Sequence, residues 1–147
     1  MCKSNRKTII DIICAAFFVI SAIVFFLNYK IIRVDGESME PTLHNKDIIL
    51  ISLNPSKINK SDIIVFNHDG NKCIKRIVAV EGDNVTIKDN KLQVNGIFIS
   101  NVKSTISNTS YKLKTDELFV LGDNYKDSLD SSDYGPITTQ NIIGKKW

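Results

Sequence analysis

Residues 73–80 read Cys73-Ile74-Lys75-Arg76-Ile77-Val78-Ala79-Val80, a run in which apolar, mostly β-branched side chains surround two cations. The turn signal Glu81-Gly82-Asp83-Asn84 follows it. Next come Val85-x-Ile87, Asp89-Asn90 and Leu92-x-Val94, the pattern of a β-hairpin with a two-residue turn. This stretch predicts short strands joined by tight turns.

The same pattern extends over most of the chain. Turn signals such as Asn54-Pro55-Ser56 and Asp69-Gly70-Asn71 separate short apolar runs. Apart from one candidate turn at Met39–Leu43, no amphipathic helix of ten or more residues is predicted there. Residues Asn101–Thr115, rich in Ser, Thr, Asn and Lys, predict a long surface loop or a flexible excursion. The predicted strands outside the hairpin are Tyr29–Val34, Ile48–Leu53, Ile63–Phe66, Ile74–Val80 and Leu118–Leu121. We therefore predict a mostly β fold, with one all-β, barrel-like domain over residues 30–147.

The N-terminal region is different, because Ile12–Tyr29 holds 18 residues without a charge. About 17–20 apolar residues are needed to cross the hydrocarbon core of a bilayer, so we predict a transmembrane helix over 12–29 after a tail of 1–11. Three cations, at positions 3, 6 and 7, favour a cytoplasmic N-terminus and an extracytoplasmic domain. A cleaved signal peptide is the competing interpretation, but this apolar segment is longer than usual and no small-x-small site follows it.

Composition excludes several classes of function. The net charge is +3, three of the 19 basic residues precede the apolar run, and no basic stripe with interleaved aromatics follows, so no nucleic-acid binding is expected. Of Cys2, Cys14 and Cys73, only the last lies in the predicted domain, which therefore cannot form an internal disulfide. Two histidines without zinc-ligand spacing predict no metal site.

One serine lies in an unusual setting, Gly36-Glu37-Ser38-Met39-Glu40-Pro41-Thr42-Leu43, which begins nine residues after Leu27. Gly36 permits backbone dihedrals that other residues avoid. Pro41 suits the first turn of a short helix. A nucleophile at the start of such a turn has backbone N–H groups beside it that can stabilise an oxyanion. An exposed turn serine without a chemical role is the plainer interpretation.

Lys75 is the candidate partner of Ser38. Strand alternation places it on one face with Cys73 and Ile77, so it is expected to be partly buried. Burial lowers the pKa of an ammonium group, and a general base needs a pKa near the working pH. A serine with a neutral lysine is sufficient for a hydrolase without histidine or aspartate. A solvated strand lysine is the alternative.

A third segment, Gly122-Asp123-Asn124-Tyr125-Lys126-Asp127-Ser128-Leu129-Asp130-Ser131, opens with a strong turn signal. Its Ser128 and Asp130 are either turn-capping groups or functional ones. In the functional interpretation the Ser128 hydroxyl contacts Lys75, and Asp130 pairs with Arg76.

Three segments together resemble the signature boxes of type I signal peptidases, the serine–lysine peptidases of family S26. They are Ser-Met-x-Pro-Thr-Leu at 38–43, Lys-Arg-Ile-Val-Ala-Val-x-Gly-Asp at 75–83 and Gly-Asp-Asn-x-x-x-Ser-x-Asp-Ser at 122–131, in the family's order. Residues 62–66 resemble a further box and residues 142–145 the closing strand. The resemblance covers the whole chain and is to the short, single-span Gram-positive form, which implies a signal-peptidase/LexA-like β-barrel-type domain.

The resemblance implies roles for the marked residues. Ser38 would be the nucleophile and Lys75 the general base, with Ser128 orienting the lysine and Asp130 bracing the site beside Arg76. The oxyanion hole would use the Ser38 backbone N–H and, as a second donor, the backbone of Gly36, where some members carry a hydroxyl. Tyr125 and Ser132 stand where the family commonly has arginine, so Arg76 is expected to hold Asp130 alone.

The resemblance also implies the substrate, which is a secreted precursor with small residues one and three positions before the cut. The precursor would lie beside Ile31–Asp35 as an added strand. The residues implied to line its pockets are Ile32, Val34, Met39, Cys73 and Ile74, with ordinary β-core as the alternative for each. Cys73 is expected to act as a small hydrophobe and not as a second nucleophile. No metal or cofactor is implied.

The implied location is the cell membrane of a Gram-positive bacterium. The chain would be single-pass, with its catalytic domain on the extracellular face, in contact with the bilayer. Pilins or components of the secretion machinery are further candidate partners. Two alternatives remain: a signal-peptidase-like accessory or chaperone for assembly of surface proteins or pili, and a LexA-like self-cleaving protease. The second lacks its DNA-binding domain here, since an apolar segment stands in that place.

Overall fold

The computed structural model of the chain describes residues 3–55, 57–104, 106 and 108–147. The predicted tail 1–11, the turn at Ser56 and the predicted loop Asn101–Thr115 each fall partly outside the described residues. Cys2 falls outside them altogether. The helices are α1 (Lys3–Asn28) and α2 (Ser131–Tyr134), and a 3₁₀ turn covers Thr139–Asn141. The strands are β1 (Tyr29–Arg33), β2 (Ile48–Ser52), β3 (Ile63–His68), β4 (Asn71–Ala79), β5 (Asn84–Lys88), β6 (Lys91–Val94), β7 (Ile97–Asn101), β8 (Thr109–Lys112), β9 (Glu117–Leu121), β10 (Ile137–Thr138) and β11 (Ile142–Lys146).

The predicted strands and the predicted hairpin are confirmed, with ends that differ by up to three residues. In the hairpin, β5 and β6 pair antiparallel with Lys88 opposite Lys91. The two turn residues Asp89 and Asn90 have φ angles of 49° and 57°. Positive φ at both central positions is what a two-residue turn between twisted strands requires, and Asp and Asn tolerate it.

The mostly β fold class is confirmed, and the sheets are open, not closed into a barrel. One sheet has seven strands in the order β1-β2-β11-β3-β4-β9-β10, and the other has four in the order β7-β6-β5-β8. Strands β1 and β10 end the larger sheet at opposite edges, and β10 is only two residues long. An edge strand offers unpaired backbone groups, so β1 is available for an added strand.

Strands β7, β8 and β10, helix α2 and the 3₁₀ turn were not predicted from the sequence, and β8 contradicts the predicted loop. Strand β8 lies inside the region predicted to be a loop or flexible excursion, where it pairs with β5 and packs Tyr111 against the core. The sequence of β8 is mostly polar because only one face of the strand packs on the core, so no apolar run indicated a strand. Helix α2 also was not predicted. It is a single turn set by its capping residue Asp130, and four residues are too few to show helical periodicity.

Alternation along β1 and β2 separates a core face from an exposed face. Val34 is 3% exposed and packs with Ile49 and Ile51, whereas Ile31 is 65% exposed. The core cluster on this side also holds Met39 and surrounds the start of the Ser38 segment. The edge strand β1 is thereby fixed beside the segment that carries the candidate nucleophile.

Helix α1 is continuous with the β domain. Its segment Lys7–Asn28 is long and apolar enough to cross a membrane, by length and composition only, a test that a signal sequence also passes. The helix ends at Asn28, and Tyr29, predicted as its last residue, opens β1 instead. The Leu53 N–H donates to the Asn28 carbonyl at 2.8 Å, which ties the helix end to β2.

Candidate active site

Ser38 is held on a turn whose apolar side chains are anchored in the core. The Leu43 N–H donates to the Met39 carbonyl at 2.9 Å, which confirms the predicted turn at these residues. Met39 is 1% exposed and Leu43 5%. Because the Met39 and Leu43 side chains are buried, the turn holds Ser38 in a fixed place beside β4.

The Lys75 amine meets the Ser38 hydroxyl. Lys75 Nζ and Ser38 Oγ are 2.6 Å apart, and Lys75 is only 5% exposed. Burial lowers the pKa of the Lys75 ammonium from its ordinary value, while the nearby Asp130 carboxylate acts in the opposite direction. A buried amine with a lowered pKa, in contact with a hydroxyl, can accept the proton of that hydroxyl.

Asn124 positions the backbone at Ser38 with two hydrogen bonds, one from its backbone N–H and one from its side-chain amide. The Asn124 N–H donates to the Ser38 carbonyl at 3.0 Å, and its side-chain amide donates to the Glu37 carbonyl at 3.2 Å. Among the residues that the structure describes, none accepts a hydrogen bond from the Ser38 N–H. That N–H can therefore serve an oxyanion. The Gly36 N–H, predicted as the second oxyanion donor, donates to Asn45 Oδ1 at 3.2 Å, and its role at an oxyanion stays a prediction.

The Asp130 side chain accepts hydrogen bonds at both of its carboxylate oxygens. Oδ2 accepts from the Gly122 N–H at 2.9 Å and from the Ser128 hydroxyl at 2.7 Å. Oδ1 accepts from the Ser132 N–H at 3.0 Å and from its hydroxyl at 2.8 Å. Ser132 stands where arginine was expected from the family pattern, and its hydroxyl braces Asp130 without a charge.

Ser128 does not contact the lysine as predicted. Within the described part of the chain, its hydroxyl has no hydrogen bond to Lys75 Nζ and donates to Asp130 instead. The reason is the short spacing, since residues two apart in a tight turn satisfy each other before a distant partner. Ser128 and Asp130 thus form one unit behind Lys75.

The predicted pairing of Arg76 with Asp130 is wrong, because Arg76 pairs with Asp123. The Nε and Nη2 groups donate to the Asp123 carboxylate at 2.8 and 2.7 Å. Strand pairing explains the choice, since Arg76 lies opposite Leu121 and Asp123 follows two residues later. Burial would raise the pKa of the Asp123 carboxyl, but the hydrogen bonds from Arg76 and Thr42 outweigh it and lower that pKa.

A cleft of about 780 Å³ opens beside the Ser38–Lys75 pair, between β1, the β3–β4 hairpin and α2. At its α2 wall, the rings of His68 and Tyr134 stack with centroids 3.9 Å apart. Its lining includes all the residues predicted to contact substrate, Ile32, Val34, Met39, Cys73 and Ile74. Burial raises the pKa of the Cys73 thiol, although Lys75 acts against it, which fits an apolar role for this side chain.

Comparison with known proteins decides the family. The family model described as "Signal peptidase, peptidase S26" matches residues 6–147. The chain belongs to this family of signal peptidases. It is a hydrolase that cleaves peptide bonds, of the family that processes signal peptides.

Two Bacillus relatives of this signal peptidase match nearly its whole length. A "Signal peptidase I" of Bacillus amyloliquefaciens is 30% identical over 96% of this chain and 87% of the relative. The "Signal peptidase I S" of Bacillus subtilis is 30% identical over 96% and 88%. A crystal structure of a signal peptidase I from Enterococcus faecalis matches with a TM-score of 0.49 at 24% identity, over 62% of this chain and 97% of that one.

Several residues that shape the site of this signal peptidase were not predicted from the sequence. They are Thr42, Asp123, Asn124, Ser132, His68 and Tyr134. The Gly-Asp-Asn turn was a signal for two of them, because a turn that immediately follows β9 is brought next to Arg76 by strand pairing. The spacing of two residues was the local signal for the contact of Ser132 with Asp130, as it was for Ser128.

Gly122 allows the nucleophile turn and the Asp130 turn of this signal peptidase to approach each other. A Cβ at Gly122 would lie 2.5 Å from the Ser38 carbonyl oxygen and would also overlap the Ser128 side chain. We expect Gly122→Ala to lower the free energy of unfolding by about 2 kcal/mol and to reduce kcat, since Ser38 must shift. Urea unfolding and precursor-cleavage kinetics measure the two effects.

Gly96→Ala provides the matched control. Gly96 has φ +79° and no heavy atom within 4 Å of its added Cβ, and it lies in the β6–β7 turn of the other sheet. We expect a loss of about 1 kcal/mol from backbone strain and an unchanged kcat. Equal kcat values for the two variants would contradict the role of Gly122 in placing Ser38.

Proposed function

We propose that this chain is a membrane-bound serine endopeptidase that removes N-terminal signal peptides from secreted precursors with a Ser38–Lys75 dyad. The observation that carries the proposal is the 2.6 Å approach of the buried Lys75 amine to the Ser38 hydroxyl. Lys75 can be neutral at a working pH because burial disfavours its charged form. The hydroxyl is thereby given a base at hydrogen-bond distance.

In the first step, neutral Lys75 accepts the Ser38 hydroxyl proton while Oγ bonds to the carbonyl carbon before the cut. The carbonyl oxygen becomes an oxyanion and receives the Ser38 N–H. A donor of this kind contributes roughly 3–4 kcal/mol in comparable sites. The Asp130 carboxylate favours the charged form of Lys75, so it stabilises the ammonium that this step creates.

In the second step, the Lys75 ammonium returns its proton to the leaving nitrogen, and the C–N bond breaks to leave an acyl-enzyme on Ser38. Lys75, neutral again, accepts a proton from water as that water attacks the ester carbonyl. The tetrahedral intermediate collapses, Lys75 returns that proton to Ser38 Oγ, and the signal peptide leaves as a carboxylic acid that gives its remaining proton to solvent. Lys75 is thus the donor or acceptor in every proton transfer at the reacting atoms.

The cleft supports the preference for small side chains one and three positions before the cut. An extended precursor added beside the edge strand β1 directs alternate side chains into the cleft. Val34 and Met39 are almost fully buried at its floor, which leaves shallow apolar pockets. Ile32, Cys73 and Ile74 complete the walls that would exclude larger side chains.

The membrane placement is part of the proposal. Helix α1 would anchor the chain as a single span with its N-terminus in the cytoplasm, because three cations lie in its first turns, before the uncharged run. The β domain would then lie on the extracellular face, where precursors emerge. The proposed steps use only the precursor and water, and no metal or cofactor.

A precursor-cleavage assay tests this function. The full chain in detergent is incubated with a precursor that carries Ala-x-Ala before the cut, and mass spectrometry locates the new ends. We expect cleavage directly after the second alanine, and none in a matched precursor with phenylalanine at that position. Binding of the precursor, or of a pilin, without cleavage would instead favour the accessory or chaperone function.

A further inference from the structure

The proposed substrate cleft has walls on both faces of the larger sheet, and strand β3 shows how they divide. Val65 packs with Val34 in the core cluster on one face. The neighbouring residues of β3, Ile64 and Phe66, belong to a different cluster, against which Tyr134 packs. Successive side chains of a strand point to opposite faces of a sheet, so α2 with its Tyr134 lies on the face opposite to the Val34 side.

The α2 wall of the cleft is mostly apolar, and no step of the proposed mechanism uses it. Leu129 lines the cleft with 69% of its surface exposed. Tyr134 lines it too and stacks on His68, with ring centroids 3.9 Å apart. The Tyr134 hydroxyl oxygen is buried and, within the described ranges, has no hydrogen-bond partner, so the ring and not the hydroxyl faces the cleft. A leucine and an aromatic pair thus form one apolar surface beside Ser38 and Lys75.

A precursor strand fits between two open strand edges in this cleft. Residues 32–36 and 71–75 both line the cleft without a break. Because side chains alternate along a strand, consecutive residues line a cleft together where the edge of the strand faces it. On β4 this edge is open, since the pairing with β9 begins only at Arg76, and β1 pairs with β2 alone within the described part of the chain. The precursor backbone can therefore lie between these two edges.

We propose that Leu129, Tyr134 and His68 form a pocket that receives the precursor side chain two positions before the cut and favours a large apolar or aromatic one. In the proposed function, the side chains one and three positions before the cut point to the shallow pockets at Val34 and Met39. The side chain between them then points to the opposite face, where α2 lies. There an aromatic ring can pack on Leu129 and lie edge-on against the Tyr134–His68 pair.

This inference rests on the proposed function and narrows the class of substrate for the same cleft. The requirement for two small side chains leaves the residue between them unspecified, whereas the α2 wall gives that residue an apolar partner. The preferred precursors would carry Ala-x-Ala with a large apolar residue at x. A polar residue at x would leave Leu129 and the Tyr134 ring in contact with water, so it would gain no free energy from burial of apolar surface.

A competition assay with two precursors tests the pocket. The full chain in detergent receives equal amounts of a precursor with Ala-Phe-Ala before the cut and one with Ala-Gln-Ala, and mass spectrometry follows both products. The ratio of the initial rates is the ratio of the two kcat/KM values, and it does not depend on how much of the protein is folded. We expect about ten-fold faster cleavage of the phenylalanine precursor, near the lower end of what one apolar pocket contributes.

Variants assign the preference to the α2 wall. Leu129→Ala should reduce the ratio to about three-fold, because it removes most of the apolar surface on one side of the pocket. Leu129→Met should keep the ratio, since methionine is apolar and of similar size. Ile97→Ala is the matched control, because Ile97 is 68% exposed and lies on β7 of the other sheet. We expect this control to leave the ratio unchanged.

The possible results separate the pocket from the peptidase function. Equal cleavage of the two precursors by the wild-type protein would overturn the pocket and leave the proposed function intact. A ratio that Leu129→Ala does not change would also overturn the pocket. The same holds if the preference appears only when phenylalanine stands directly after the cut, since the α2 wall would then contact the mature part of the precursor. Cleavage of neither precursor would overturn the proposed function and the pocket together.

Discussion

Ser38→Ala and Lys75→Met are each expected to reduce precursor cleavage by about 10⁴-fold, because either change removes the only activated nucleophile of the proposed mechanism. The double variant should be no slower than either single one, since nucleophile and base act as one unit. Single-turnover cleavage with excess protein measures the residual rate. An active Lys75→Met protein would exclude Lys75 as the base.

Lys75→Met also tests whether the lost activity is chemical and not a folding defect. The Lys75 pKa is lower in the folded chain than in the unfolded chain. Between these two pKa values the unfolded chain binds more protons at Lys75. The free energy of unfolding therefore rises with pH over this range. Below the folded pKa the full cost of the buried charge is present. Methionine removes that cost at similar length, so the Tm of Lys75→Met should equal or exceed that of the wild-type protein.

The same lowered pKa gives a direction for the pH dependence of cleavage. The base must be neutral to accept the Ser38 proton, so kcat/KM should rise with pH through the Lys75 pKa, with a midpoint below the ordinary value for lysine. A profile that falls over this range would contradict a lysine base. Measurements should stay within the pH range in which circular dichroism shows an unchanged fold.

Asp130→Ala is expected to have the second largest effect, because it removes four hydrogen bonds and the cap of α2 together. Gly122 N–H, the Ser128 hydroxyl and two groups of Ser132 would lose their acceptor inside the protein. We expect the free energy of unfolding to fall by about 3 kcal/mol. Cleavage should fall as well, since the turn behind Lys75 loosens.

Two variants control for this interpretation. Asp130→Asn keeps the shape and one capping oxygen, so its loss of stability should be smaller than that of Asp130→Ala. Asp127→Ala removes an exposed carboxylate from the same segment and should change the free energy of unfolding by less than about 0.5 kcal/mol. If all three variants unfold at the same urea concentration, Asp130 does not organise this segment.

The sequence predicted those parts of the fold that depend on local pattern. Apolar runs between turn signals located the strands, and the Asp89-Asn90 turn fixed one hairpin. Strand β8 was not predicted because its sequence is polar. Its extended conformation depends on its pairing with β5. Helix α2 was not predicted because it is a single turn that depends on its capping residue and is too short to show helical periodicity.

The site residues also divide into those that the sequence predicted and those that depend on the folded structure. Ser38 and Lys75 were candidates from their own sequence context, the resemblance to the family's signature boxes made them the predicted pair, and the structure brings them together. The partner of Arg76 was predicted wrongly, because the choice between Asp123 and Asp130 depends on which residue follows β9 at the matching register. Charges alone cannot distinguish two aspartates, whereas strand register can.

The direct passage from α1 into β1 has a consequence for how precursors are selected. No residue intervenes between Asn28 and Tyr29, and the hydrogen bond from Leu53 fixes that junction. With α1 in the bilayer, this junction sets a fixed distance between the membrane surface and Ser38. A precursor would be chosen not only by the size of two side chains but also by how far its scissile bond projects from the lipid.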